Sequence, residues 1–80
     1  MHKSDPRRQI VEVTLPEDLG GSVSEIYNNT LAAAQKVEPQ ADMAYRWKSQ
    51  ETHSWATNEQ WLADHAGQTI QVEVIKKDNS

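Results

Sequence analysis

Two short stretches near the ends of the chain, residues 9–15 (QIVEVTL) and 69–75 (TIQVEVI), carry an apolar side chain at every second position. Side chains alternate between the two faces of a strand, so each stretch can bury one face and leave the other to water. In the first, Val11, Val13 and Leu15 oppose Ile10, Glu12 and Thr14; in the last, Ile70, Val72 and Val74 oppose Gln71, Glu73 and Ile75. A sheet that is apolar on one side must pack that side against another layer. The chain between the two stretches has to supply the cover, and this limits the fold more than any other feature of the sequence.

The segment 23–37 meets that need. Val23, Ile26, Tyr27, Leu31, Ala34 and Val37 recur at three- and four-residue spacing, which predicts an amphipathic helix. Ser22 fits the N-cap, Glu25 completes a capping box, and Pro39 stops the helix near Lys36 to Glu38. Ahead of it, Glu17-Asp18-Leu19-Gly20-Gly21-Ser22-Val23-Ser24-Glu25 places a Gly-Gly-Ser turn between a strand and a helix. Such junctions hold phosphates in some proteins, because a helix N-terminus attracts anions. Here no Lys follows the glycines, only two adjacent glycines occur, and Glu17, Asp18 and Glu25 already place negative charge in the favourable field. The turn therefore reads as a helix start, with glycine chosen for an unusual backbone conformation.

Further along, residues 43–49 (MAYRWKS) alternate again, which predicts a strand with Met43, Tyr45 and Trp47 inward and Ala44, Arg46 and Lys48 outward. Residues 52–56 (THSWA) are read as a short return strand. Thr57 is expected to cap a short helix over 58–66, with Gln60 completing a second capping box and Gly67 as the stop. The resulting order, β-α-β-(β)-α-β, predicts an α/β (α+β-like) two-layer sandwich: a small mixed sheet of three to four strands with one long and one short helix on one face. The first helix is expected to cross between two parallel, neighbouring strands. The mixed polar face (Glu12, Thr14, Arg46, Lys48, Gln71, Glu73) is left to solvent.

Eighty residues make one domain, expected over 9–76 between flexible tails at 1–8 and 77–80. With 36% apolar residues and no Phe, three Trp and two Tyr must provide much of the core. There is no cysteine, no apolar run of membrane-spanning length and no leader-like segment, so a reducing cytoplasm is the expected location and membranes are not an expected partner. The Asn28-Asn29-Thr30 glycosylation pattern lies inside the predicted helix.

Net charge is -4. Acids concentrate in residues 9–45, where Glu12, Glu17, Asp18, Glu25, Glu38 and Asp42 meet the single cation Lys36. An acidic body repels phosphates and disfavours direct nucleic-acid binding. His2, His53 and His65 match no metal-ligand spacing, and no cofactor is implied. Ser54 beside His53 is only a sequence neighbour, so catalysis is not expected.

Trp55, flanked by His53, Ser54 and Thr57, is the aromatic residue best placed to anchor an interface, whereas Trp47 and Trp61 read as core. These features predict a non-enzymatic binding protein that docks on and blocks a larger, basic, nucleic-acid-handling protein, using Glu17, Asp18, Glu25, Glu38 and Asp42 for charge and Trp55 as anchor. By size, charge and lack of cysteine, and by no motif, the chain resembles the compact inhibitors of phages and mobile elements, anti-CRISPR proteins among them; what that implies is an analogy of type. Two alternatives remain open. One is a single-stranded nucleic-acid module using Arg46, Lys48 and Trp55 on the polar sheet face. The other is a structural subunit or homodimer that pairs through a strand edge.

Overall fold

The computed structural model describes residues 7–77. The elements run β1 (Arg8–Thr14), α1 (Val23–Val37), β2 (Ala41–Ser49), α2 (Glu59–Asp64) and β3 (Thr69–Lys76). They form a two-layer α/β sandwich, a three-stranded sheet with two helices, as the alternation at the chain ends requires. The expected tails fall largely outside the described residues. β1 begins at Arg8, and the Lys77 N–H donates to the Gln40 carbonyl at 2.8 Å.

The sheet order is β1-β3-β2, with β3 antiparallel to both neighbours. β1 and β2 run parallel to each other, as a crossover through α1 demands, but they are not adjacent. β3 fills the gap between them. The physical reason lies in β3 itself: Ile70, Val72 and Val74 are completely buried, and a central strand buries its apolar face most fully.

One expectation about β2 is corrected. Residues 41–49 do not alternate, because two register shifts, between Ala41 and Met43 and between Ala44 and Arg46, each insert an extra residue. A bulge of this kind turns the following side chain to the opposite face. Ala41, Ala44 and Trp47 are therefore buried at three-residue spacing, while Met43 and Tyr45, expected inward, are 43% and 42% exposed. The expected return strand is a single bridge, Trp47 to Ala56, with backbone bonds of 3.0 and 2.7 Å. It places Trp55 beside β2.

α1 matches its predicted limits. Ser22 Oγ accepts from the Glu25 N–H at 3.2 Å, and the Glu38 N–H closes the far end on the Ala34 carbonyl. Its buried stripe is Ile26, Thr30, Ala33 and Ala34, with Tyr27 and Leu31 half-buried; Val23 and Val37 are exposed. Thr30 tolerates burial because its Oγ1 donates to the Ile26 carbonyl at 2.9 Å.

α2 is shorter than expected. It starts after Asn58, not Thr57, because Asn58 Oδ1 accepts from the Gln60 N–H at 2.8 Å and takes the capping role. Leu62 reaches the core fully buried, and Gly67, at φ 80°, turns the chain back toward β3. The His65 ring stacks on Trp61 at 3.7 Å between centroids, and its Nδ1 is 2.8 Å from the Trp61 carbonyl. Gly20 sits at φ 100°, and a Cβ there would come within 2.5 Å of Glu25 Oε2. The Gly-Gly turn thus lets the capping carboxylate fold back over it.

Candidate functional site

The helices cover one side of the sheet only. The other side gathers side chains that the sequence scatters over its whole length. β1 contributes Arg8, Ile10, Glu12 and Thr14; β3 contributes Thr69, Gln71, Glu73 and Ile75; β2 contributes Met43, Arg46 and Lys48. At the centre of this surface stands Glu73, only 7% exposed although it faces away from the core. Arg46 donates to it from β2, Nε to Oε1 at 2.9 Å and Nη2 to Oε2 at 3.4 Å, and Arg8 approaches from β1 at 3.7 Å. A carboxylate on the middle strand is thus held between guanidinium groups of the two outer strands.

Aromatic rings complete the surface. The Arg8 guanidinium lies 4.3 Å from the Tyr45 ring centroid. Arg46 and Lys48 lie 4.6 and 4.9 Å from that of Trp55. Contacts of this length are cation–π interactions. Gln50 ties the edge together by donating to Glu12 Oε2 at 2.6 Å. Three of the large apolar side chains most exposed in the fold, Ile10, Met43 and Tyr45, stand here, with half-buried Ile75 between them.

The other proposed site residues do not join this group. Asp18 Oδ1 accepts from the Gly20 N–H at 3.0 Å. Glu25 belongs to the N-cap of α1, and Glu17 packs beside Gly67. Glu38 and Asp42 lie past the other end of α1, roughly 20 Å away by helix length. Glu38 accepts from the Gln40 N–H and pairs with Lys76 at 3.4 Å; Asp42 is exposed at the first bulge. Trp55 alone lies on the uncovered sheet face. The acids divide into two groups, and most of them already hold local turns and caps.

Charge separates by layer. The helices and the turns at their ends bear Glu17, Asp18, Glu25, Glu38, Glu59 and Asp64 against Lys36, with Asp42 nearby at the first bulge of β2 and Lys76 paired to Glu38. The uncovered sheet face bears Arg8, Arg46 and Lys48 against Glu12 and Glu73. Near the acidic layer, burial pushes the Tyr27 phenol above its ordinary value; a hydrogen bond with the Ala44 backbone acts against that, and the charges of Asp42 and Glu59 add to it.

Arg8, Tyr45 and Met43 are the members of this surface that sequence reasoning missed. Arg8 falls within the expected N-terminal tail, and alternation places the other two in the core. Only the bulges reassign Met43 and Tyr45, and no Gly or Pro marks them. Among the described residues, no group of three or more His, Asp or Glu side chains is arranged to hold a metal ion, and no helix is long and apolar enough to cross a membrane. No protein family, characterised protein or solved structure matches this chain.

Proposed function

We propose that this is a non-enzymatic binding protein that docks on a larger protein through its uncovered sheet face. One observation carries the reading: Trp55, Tyr45, Arg8, Arg46, Lys48 and Met43 converge on a single surface with two rings set against cations. Protein interfaces are enriched in Trp, Tyr, Met and Arg, and the residues that dominate affinity are drawn from that set. The Glu73–Arg46 fork fixes the guanidinium in advance, which lowers the ordering cost of binding. The partner surface that fits is apolar with carboxylates at its rim, complementing Arg8 and Lys48.

A second reading keeps the acidic layer as the contact and a basic, nucleic-acid-handling protein as the target. It is favoured by the excess of acids in the helix layer, where Lys36 and the Glu38-paired Lys76 are the nearby cations. Reversing Asp18 and Glu25 would disturb the fold as well as the charge, because both groups hold the start of α1. Asp42 and Asp64 are exposed and serve better.

The test is capture from native lysate by the immobilised protein, with and without nuclease, beside the variants Trp55→Ala with Lys48→Ala and Asp42→Lys with Asp64→Lys. A protein retained by the wild type after nuclease treatment and lost with the first variant supports the sheet face. Truncating a central Trp costs about 2 kcal/mol or more, roughly thirtyfold in affinity. Loss with the second variant alone moves the contact to the acidic layer. Nucleic acid that nuclease removes, with oligonucleotide affinity falling steeply with salt, replaces both readings by single-strand binding on Arg46, Lys48 and Trp55.

A further inference from the structure

The sheet has an outer strand, β1, that pairs with β3 without a register shift and whose other edge no described residue pairs with. In β1 the backbone groups alternate in direction. The Lys76 N–H donates to the Arg7 carbonyl at 2.7 Å, and the Leu15 N–H donates to the Gln68 carbonyl at 2.9 Å. Odd-numbered residues of β1 thus bond to β3, and Arg8, Ile10, Glu12 and Thr14 turn their N–H and C=O groups outward. No hydrogen bond among the described residues uses those outward groups. Ile10, in the middle of the row, is 53% exposed.

We infer that this edge pairs with the same edge of a second copy, in antiparallel register centred on Ile10. Symmetry restricts the choices. A two-fold axis makes the contact isologous, so each residue of β1 meets a residue of the same strand. A register that joins two or more outward-turned positions must centre on one of residues 9–13, and centring on Val13 leaves both Arg8 and Ile10 without an opposite residue in the row. Centring on Glu12 sets that carboxylate against its own copy. Centring on Val11 sets Arg8 opposite the partner's Thr14, and centring on Gln9 leaves Glu12 without an opposite residue in the row. Centring on Ile10 sets Arg8 opposite the partner's Glu12, twice, with the two isoleucines between them. Opposite charges directly across an antiparallel pair are stabilising, and like charges are destabilising. The edge is thus complementary to itself in one register.

The existing contacts leave the pair feasible. Arg8 is 3.7 Å from Glu73 and 4.3 Å from the Tyr45 centroid, and Glu12 engages Gln50 through Oε2. The side chains of Arg8, Ile10 and Glu12 lie on the uncovered sheet face. Pairing would therefore join two uncovered faces into one surface on a continuous six-stranded sheet. The inference does not depend on what that surface binds.

The experiment is sedimentation equilibrium of the full chain from micromolar to millimolar concentration, together with three variants. A two-chain mass is expected for the wild type. Ile10→Pro removes an outward N–H and none of the β1–β3 ladder, so a single-chain mass with an unchanged circular dichroism spectrum is expected. Glu12→Arg sets like charges together at both ends and is expected to raise the dimer dissociation constant roughly tenfold or more. Ile10→Cys introduces the sole thiol of a chain that has none, and mild oxidation should link two chains covalently, since facing residues in such a pair lie about 5.5 Å apart. Should Ile10→Pro fail to fold, the charge and thiol variants still decide. A single-chain mass for the wild type at every concentration overturns the inference. So does a dimer that survives both Ile10→Pro and Glu12→Arg, or one that Ile10→Cys does not link.

Discussion

Arg46→Met is the most informative perturbation of the sheet face, read together with Glu73→Met and the double variant. Glu73 keeps 9% of its side-chain surface exposed, and Arg46 keeps 36%. Removing the guanidinium strips Glu73 of two charge-assisted bonds and leaves it Arg8 at 3.7 Å. Stranding a buried carboxylate costs about 3–5 kcal/mol when the pair is fully buried. The solvent exposure of Arg46 and the long 3.4 Å bond reduce this, so a loss of about 2 kcal/mol is expected. Glu73→Met leaves two cations that reach water, and about 1 kcal/mol is expected. With both groups replaced, apolar side chains pack side by side, and the loss should stay near 1 kcal/mol. The coupling is then about 2 kcal/mol. Urea unfolding followed by circular dichroism reads it directly. With a slope near 1 kcal/mol/M for a domain of this size, Arg46→Met should lower the midpoint by about 2 M. A coupling below about 0.5 kcal/mol would refute the view that this fork organises the face.

Three other outcomes follow from the same structure. Gly20→Ala should cost about 2–3 kcal/mol, because of its positive φ and the Glu25 side chain beneath it, whereas Gly21→Ala, with open space around it, should change stability by less than about 1 kcal/mol; equal losses in urea titrations would contradict this. Burial raises the Tyr27 phenol above the ordinary tyrosine value of 10.0, so the folded state holds its proton to higher pH than the unfolded chain does. Stability should therefore fall as pH climbs above 10.0, and Tyr27→Phe should flatten the decline in unfolding midpoints measured across that range. Thr30→Val deletes the Ile26 bond while keeping the shape; a thermal midpoint within a few degrees of wild type is expected, since both the donor and its local acceptor belong to one helical turn.

Much of the fold was legible because it rests on local rules. Alternation placed β1 and β3, and the Ser22–Glu25 box placed the start of α1 to the residue. The misreadings share a different cause. Whether a residue of β2 faces the helices depends on its pairing with β3, and no property of the 41–49 segment reveals where the extra residues fall. The central position of β3 likewise depends on comparing burial among strands. The sheet surface was the least legible part. Arg8, Tyr45, Arg46, Trp55 and Glu73 span nearly the whole chain, and only the strand order brings them together. Trp55 stands out in the sequence because its polar neighbours mark it as a poor core residue; Tyr45 has no such mark.

The two outer strands of the sheet differ in a way that bears on solubility. β1 is regular along its length, whereas β2 is interrupted by extra residues at Asp42 and Tyr45 and meets the 55–57 segment through the Ala56 bridge. A regular edge templates another strand, and an irregular, occupied one does not. Strand addition is therefore favoured along β1 and disfavoured along β2. A molecule with one templating edge tends to end a stack of strands rather than extend it, which works against fibre growth.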